Sequence, residues 1–251
     1  PGVQSELVAE VAATGTPTVV VVVSGRVHTL ETEVQAAAAL VWSILPGEEG
    51  GHGIADVLTG AVNPSGRLPV TIPRHVGQVP VHHDARRRGD RSEFYGDYVD
   101  RESSPRFVFG HGLSYTTFDY TDIDIGAGST STPTTVTATV ANTGDRDGAE
   151  VVQLYATDDI ASVARPIREL IGFVRVPLGV GDRRRVTFTI DPSRLAFFDA
   201  DHRRVIEPGS FTFRVAGSSA SSEGVAGSAV LAGAATEYPQ RAVVATTVEI
   251  H

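Results

Sequence analysis

The chain has 251 residues, of which 41% are hydrophobic and 20% charged, and its formal net charge is −9. This composition indicates a soluble, globular protein with one large or two modest cores, because no apolar run is long enough to span a membrane. The negative charge excludes a general nucleic-acid-binding protein, which needs a basic face.

Three residue types with distinctive chemistry are missing. The chain contains no Cys and no Met, and its basic residues other than His are all Arg. Without Cys, disulfide bonds, zinc–thiolate sites and cysteine nucleophiles are excluded, which fits secreted and cytoplasmic proteins alike. Without Lys, an amine nucleophile could come only from the N-terminus. Because a primary translation product begins with Met, we expect this chain to be a piece of a longer protein.

The first half of the chain alternates predicted helices and strands. Residues 3–14 have apolar residues at helical spacing and predict an amphipathic helix. The run TVVVVV at 18–23 lacks alternation and predicts a strand buried on both faces. Residues 31–40 predict an Ala-rich helix, and residues 41–45 predict the next strand. Helices and strands in this order are typical of a layered α/β domain with parallel strands.

A glycine-rich turn follows the second predicted strand. The sequence PGEEGGHG at 46–53 contains Glu48, Glu49 and His52, and it leads into a short predicted helix. Acidic residues favour the positive N-terminal end of a helix, so the two carboxylates have a purely structural interpretation. The alternative is that one of them faces a substrate. Because ligands of such domains bind beyond the carboxyl ends of the strands, this turn and the loop SGRVHT at 24–29 are candidate binding positions.

A charged loop carries three aromatic residues. Phe94, Tyr95 and Tyr98 lie in the segment 74–106, which has few periodic apolar positions. Aromatic rings can pack against the flat C–H faces of sugars, and loops carry binding residues more often than cores do. The alternative is that the rings anchor a long loop to the body of the protein.

The sequence predicts neither a metal site nor a cofactor site. His82 and His83 are adjacent, and neighbouring side chains point apart in an extended chain, so they do not form a ligand pair. Asp199 and Asp201 flank a predicted turn, and the remaining ligands of a calcium loop are missing around them.

From residue 119 onward the pattern changes to short segments of alternating polarity, which indicate a β-sandwich. In one of these segments Val186, Phe188 and Ile190 share a face, as expected for a half-buried strand. We therefore predict an α/β domain at 1–118 followed by an all-β domain at 119–251.

Four motifs resemble those of a known family. PGEEGG, GIADVLTG, NPSGRLPVTIP and FVFGHGLSYTTF occur in the order seen in the C-terminal part of family 3 glycoside hydrolases, the β-glucosidases, β-xylosidases and their relatives. The segment RPIRELIGFVRVPLGVGDRRRVTFTI at 165–190 resembles the fibronectin type III-like domain that follows in many members. One departure is Val27, where the family commonly carries proline. The resemblance implies a partial layered α/β sandwich domain plus a fibronectin type III-like β-sandwich.

The resemblance also implies a function and a partner. Members of this family are retaining glycosidases with an Asp nucleophile in an N-terminal (β/α)₈ barrel. Their acid/base is usually a Glu upstream of the strand that corresponds to residues 18–23. Neither catalytic carboxylate is therefore expected in this chain. We expect it to bind the barrel portion of the same enzyme, as a separate or nicked polypeptide, and to complete a β-glucosidase. The alternatives are a β-xylosidase or arabinosidase of the same family and a non-catalytic carbohydrate-binding module.

Overall fold

The computed structural model describes residues 2–86, 96–220, 222–238 and 244–251. These residues form two compact units, and each unit consists of several separate stretches of the chain. The described part of the first unit consists of residues 2–62, 70–81 and 96–107. The second unit consists of residues 63–69, 82–86 and the described residues from 108 onward. None of the helices in the described ranges is long and apolar enough to cross a membrane.

The first unit is a small α/β assembly. Its elements are α1 (Gln4–Ala13), β1 (Val19–Val23), α2 (Glu31–Ala36), β2 (Ala39–Ser43), α3 (Gly50–Thr59) and a 3₁₀ turn (Val76–Gln78). Strands β1 and β2 are parallel, with Val19 beside Ala39 and Val23 beside Ser43. The helix predicted over residues 31–40 ends at Ala36, because the residues that follow pair with β1 and an extended pairing excludes helical geometry.

Few apolar side chains of the first unit are buried. Among its described residues, the buried apolar side chains are Leu30 and Ile72, which are 8% and 2% exposed, and the neighbouring Pro73. The prediction that the valines of β1 are buried on both faces is wrong, since none of the five is fully buried and Val23 is 57% exposed. The described sheet has two strands, and so narrow a sheet offers too little surface to enclose its own side chains.

The second unit is a β-sandwich, which confirms the predicted all-β fold of this part of the chain. Its elements are β3 (Phe118–Ile125), β4 (Thr134–Asn142), β5 (Gly148–Asp158), β6 (Glu169–Leu178), β7 (Arg183–Ile190), a 3₁₀ turn (Pro192–Leu195), β8 (Phe197–Phe198), β9 (Arg204–Ile206), β10 (Gly209–Ala216), β11 (Val225–Leu231), β12 (Thr236–Glu237) and β13 (Thr247–Ile250). The described sheets have the strand orders β11-β10-β5-β6, β13-β7-β4-β3 and β12-β9-β8.

The core of the second unit lies between its two larger sheets. Val186 and Phe188 of β7 are fully buried and Ile190 is 1% exposed, as the alternation along this strand predicts. On the other face of the same strand, the hydroxyl groups of Thr187 and Thr137 are 3.1 Å apart. The sequence pattern therefore identified the inward face of β7 correctly.

A buried ion pair holds the segment 63–69 in the second unit. The side chains of Arg67 and Glu150 are 9% and 3% exposed and form a salt bridge. The hydroxyl of Tyr120 donates to the second carboxylate oxygen of Glu150 at 2.8 Å. Burial raises the pKa of Glu150, although Arg67 and Tyr120 act in the opposite direction. Because each charge would be costly to bury alone, the pair fixes this segment on β5.

Gly110 packs against a buried amide of the same strand. Its φ is +80°, and a Cβ at this position would overlap the carboxamide of Gln153. Gln153 is 2% exposed, and its Nε2 donates to the carbonyls of Gly110, at 3.4 Å, and Gly217. The hydroxyl of Tyr155 donates to Oε1 of Gln153 at 2.6 Å. The Gln153 carboxamide is therefore fixed by these three hydrogen bonds and cannot shift to make room for a Cβ at residue 110.

A second charged cluster lies where β5 ends. The side chains of Asp158 and Arg165 are 4% and 9% exposed, and their Oδ2 and Nη1 atoms are 3.7 Å apart. Arg165 also donates to Glu169 at 2.6 Å and lies over the ring of Phe197, 4.4 Å from its centroid. Burial raises the pKa of Asp158 from 3.8 to about 6, with Arg165 offsetting part of this effect.

We predict that Gly110→Ala destabilises the protein by about 2–4 kcal/mol, from the left-handed backbone and the disturbed Gln153 hydrogen bonds. The matched control is Gly181→Ala, which also has positive φ but has no other atom within 4 Å of the added Cβ. It is expected to cost roughly 1–2 kcal/mol, from the backbone alone. Chemical unfolding measures both, and equal costs would contradict the packing role of Gln153.

We predict that Asp158 makes the unfolding free energy depend on pH. The carboxyl group of Asp158 has a higher pKa in the folded protein than in the unfolded chain. Its contribution to the unfolding free energy is therefore greatest below pH 3.8 and is lost as the pH rises to about 6. The loss is about 2–3 kcal/mol at most. In Asp158→Asn this component is absent, so stability falls less between pH 4 and pH 7. Asp201→Asn, at a side chain that is 75% exposed, is expected to keep it. Identical pH profiles for Asp158→Asn and the parent would contradict the prediction.

Candidate functional site

The loops that follow β1 and β2 lie at the same edge of the parallel sheet. A Cβ on Gly25, in the first loop, would lie 3.5 Å from Cδ1 of Leu45, at the start of the second. The Oγ of Ser24 is 2.9 Å from Nε2 of His28 and donates to the carbonyl of Arg26 at 3.0 Å. The first loop is therefore stabilised by hydrogen bonds between its own residues. His28 is thus part of the loop's internal bonding, and Arg26 is exposed.

The second loop turns sharply into α3. Gly47 has a φ of +72°, and the ring of Pro46 leaves no space for a Cβ on Gly50. By contrast, a Cβ on Gly51 or Gly53 would have no neighbouring atom within 4 Å. The start of α3 is therefore tightly packed where Gly50 meets Pro46, and it is open where Gly51 and Gly53 lie.

The sequence analysis named three residues in this second loop, and all three are at the surface. Glu48 is exposed. The Oε2 of Glu49 and Nδ1 of His52 are 2.7 Å apart, with side chains 83% and 87% exposed. Glu49 precedes α3 but makes no capping hydrogen bond with its side chain. The loop therefore presents carboxylates and an imidazole to its surroundings, groups that can bind the hydroxyl groups of a sugar.

The surroundings of Glu49 do not resemble those of a general acid. A carboxyl group that must stay protonated near neutral pH lies in an apolar site or beside another negative charge. In this chain Glu49 is exposed and faces an imidazole. The geometry suits hydrogen bonding better than proton transfer to a leaving group.

Tyr98 lies on a segment that is fixed by polar contacts. It is 41% exposed. Next to it, Asp97 accepts hydrogen bonds from the backbone N–H and the hydroxyl of Ser103, at 2.7 and 3.0 Å, and these bonds lower the pKa of Asp97. The Nε2 of Gln78 donates to the carbonyl of Ser103 at 2.6 Å. Phe94 and Tyr95 lie outside the described residues.

No group of three or more metal-binding side chains occurs in the described parts of the chain. Asp199 accepts hydrogen bonds from the backbone N–H groups of Asp201 and Arg203, both at 2.9 Å, which accounts for its place in a turn. His83, considered above as a metal ligand, stacks on Phe109 instead, with ring centroids 4.0 Å apart. No sequence pattern indicates this contact, because the two residues are far apart along the chain.

Two family models match the chain. Residues 1–115 match the glycosyl hydrolase family 3 C-terminal domain, and residues 150–219 match a fibronectin type III-like domain.

Curated relatives and solved structures agree with these matches. A periplasmic β-glucosidase of Salmonella typhimurium is 39% identical over 84% of this chain and 29% of its own length. A β-xylosidase of Formosa agariphila is 38% identical over 87% of this chain and 30% of its own length. The crystal structure of a β-glucosidase from Listeria innocua in complex with glucose aligns with a TM-score of 0.86 and 31% identity, covering 93% of this chain and 33% of that one. The chain thus spans about a third or less of the length of these relatives.

We predict that Glu48→Gln and Glu49→Gln leave the turnover rate within about tenfold of the parent in the assembled enzyme. A residue that acts as general acid or base contributes about 10²- to 10⁴-fold, which these exposed side chains are not placed to supply. Glu10→Gln, at an exposed position of α1, is the control. A turnover rate on an aryl β-glucoside that falls by about 10²-fold or more, with KM unchanged, would contradict the prediction.

Proposed function

Because the chain belongs to glycoside hydrolase family 3, as the C-terminal and fibronectin type III-like part, we propose that it completes a retaining β-glycosidase. The enzyme is a β-glucosidase that hydrolyses terminal β-D-glucosyl residues, and this chain acts when assembled with an N-terminal (β/α)₈ barrel portion. The barrel portion is supplied by a separate or nicked polypeptide.

The exposed apolar surface of the first unit is the observation that carries this proposal. Leu7 and Val11 lie on one face of α1, Val3 immediately precedes the helix, and these three side chains are 62%, 42% and 67% exposed. At the end of β2, Leu45 is 76% exposed. Soluble proteins seldom leave so many large apolar side chains in water unless another surface covers them. The remaining two thirds of the length of the relatives supplies the polypeptide that covers them in this proposal.

The proposal divides the chemistry between two parts of the enzyme. A retaining glycosidase needs a nucleophilic carboxylate and an acid/base carboxyl about 5–5.5 Å apart. Both lie outside this chain, according to the motif match. The carboxyl-end loops of the first unit then form one wall of the sugar site, where Glu48, Glu49 and His52 bind hydroxyl groups. Tyr98 offers a ring face to the sugar.

A β-xylosidase is the second candidate for the activity. Two relatives from Formosa agariphila, 38% and 35% identical, are a β-xylosidase and a putative β-xylosidase. A xylosyl residue lacks the hydroxymethyl group of glucose, so the difference lies in the pocket around that group. The comparison of aryl β-glucoside with aryl β-xyloside hydrolysis separates the two activities.

We predict that the active preparation contains a barrel-bearing polypeptide that copurifies with this chain. Mass spectrometry under denaturing conditions identifies it, and hydrolysis of the aryl β-glucoside is expected to exceed that of the aryl β-xyloside. Full activity without a barrel would overturn the proposal, because the catalytic carboxylates would then belong to this chain. A chain that binds polysaccharide but never associates with a barrel would identify a binding module instead.

A further inference from the structure

An antiparallel bridge inside the first unit carries Arg106. The N–H groups of Arg106 and Phe107 donate to the carbonyl of Ile72 at 2.9 and 3.3 Å, and the N–H of Ile72 donates to the carbonyl of Phe107 at 2.9 Å. The backbone of Arg106 is therefore fixed beside a core residue, since Ile72 is 2% exposed. The side chain of Arg106 is itself partly buried.

The guanidinium group of Arg106 has no partner within the described ranges of the chain. Its Nε is the one buried side-chain nitrogen or oxygen atom there that makes no hydrogen bond, and no carboxylate of those ranges pairs with it. Buried polar groups are nearly always hydrogen-bonded, and a cation that is taken from water without a counter-charge lowers stability. The position therefore requires an acceptor that the described residues do not supply.

Two other arginines on the segments that this bridge joins are paired. The Nη2 of Arg74 is 2.6 Å from Oε2 of Glu102, and the Nη1 of Arg101 is 3.3 Å from Oε1 of Glu31. The net charge of the protein is −9, so carboxylates are plentiful. The missing partner of Arg106 is therefore a property of its position and does not reflect a shortage of acidic residues.

The same two segments expose apolar side chains. Val76 and Val79 are 70% and 63% exposed, and Val99 is fully exposed. The segments are tied to each other, because Nε2 of Gln78 donates to the carbonyl of Ser103 at 2.6 Å. Exposed apolar side chains indicate a surface that another polypeptide covers, and arginine is enriched at such interfaces.

We propose that the barrel polypeptide docks on the surface formed by Arg106 and these three exposed valines, and that an Asp or Glu carboxylate of that polypeptide pairs with the Arg106 guanidinium. This inference rests on the proposed function and names the chemistry of one contact within it. A guanidinium group matches a carboxylate in a planar, two-point geometry. The barrel polypeptide belongs to the part of the relatives that this chain does not cover.

The charges around Arg106 favour a protein carboxylate over a free anion. Glu102 lies on the same segment, and the protein as a whole is acidic. Free phosphate or sulfate would be repelled by this field. A carboxylate held by a covering polypeptide arrives instead together with the apolar contacts, whose burial offsets the repulsion.

The first test measures the affinity between this chain and the barrel polypeptide of the assembled enzyme. Arg106→Met removes the charge, and it is expected to weaken binding about 30-fold or more, as the loss of one partner of a buried charge pair does. Arg106→Lys keeps the charge without the planar fork, and its affinity is expected to lie between the two. Arg184→Met, at a side chain of the second unit that is 48% exposed, is the matched control and is expected to bind like the parent. Parental affinity in Arg106→Met would overturn the inference.

The second test identifies the carboxylate. One Asp→Asn or Glu→Gln substitution in the barrel polypeptide is expected to weaken binding by a similar factor, and its combination with Arg106→Met is expected to add little, because both changes remove the same contact. If the losses are additive for every carboxylate of the barrel polypeptide, Arg106 has no partner there and the inference is overturned.

The outcomes separate this inference from the proposed function. Assembly and aryl β-glucoside hydrolysis at parental levels in Arg106→Met overturn the docking contact and leave the proposed function intact. An active preparation without a barrel polypeptide overturns both. If Arg106→Met assembles like the parent but loses hydrolysis of an aryl β-glucuronide, the guanidinium binds a substrate carboxylate, and its docking role is overturned.

Discussion

A carboxylate that is removed from water needs a partner of opposite charge, and Glu150 of β5 imposes this requirement on the second unit. Arg67 meets it from a turn 83 residues earlier in the chain. The backbone of the neighbouring Leu68 then exchanges hydrogen bonds with the segment at Gly110 and His111, at 2.8 Å each. Gly110 in turn contacts Gln153, which lies further along the same strand as Glu150. The buried charge of Glu150 is therefore part of a connected set of contacts that holds residues 67–68 and 110–111 against β5.

This set of contacts explains why the packing units differ from the regions that the family models match. The model of the C-terminal domain ends at residue 115, yet residues 63–69, 82–86 and 108–115 pack with the sandwich. The fibronectin type III-like match begins at residue 150, after β3 and β4 are complete. A family model matches a continuous stretch of sequence, whereas a packing unit can combine separate stretches that are buried together. The domain division at residue 118 remains a prediction, and the second unit includes residues that precede it.

The sequence predicted most reliably where local chemistry decides the structure. The alternation of Val186, Phe188 and Ile190 identified the inward face of β7, since the period of a strand determines which side chains share a face. The burial of the β1 valines was predicted wrongly, because burial depends on what covers a sheet, and the strand's own residues do not encode that. At the candidate site, the glycine-rich turn indicated the position of Glu49 and His52 but not their mutual contact. The stacking of His83 on Phe109 left no local pattern to find.

The last described strand has a protective role in the sandwich. β13 pairs with β7 from Thr247 beside Thr189 to Ile250 beside Val186, and the backbones of His251 and Arg185 exchange hydrogen bonds at 2.8 and 3.0 Å. This short stretch thus keeps the hydrogen-bonding groups of β7 from facing solvent. Its proteolytic loss would turn an interior strand into an open edge, the kind of surface on which other chains add strands and aggregates begin.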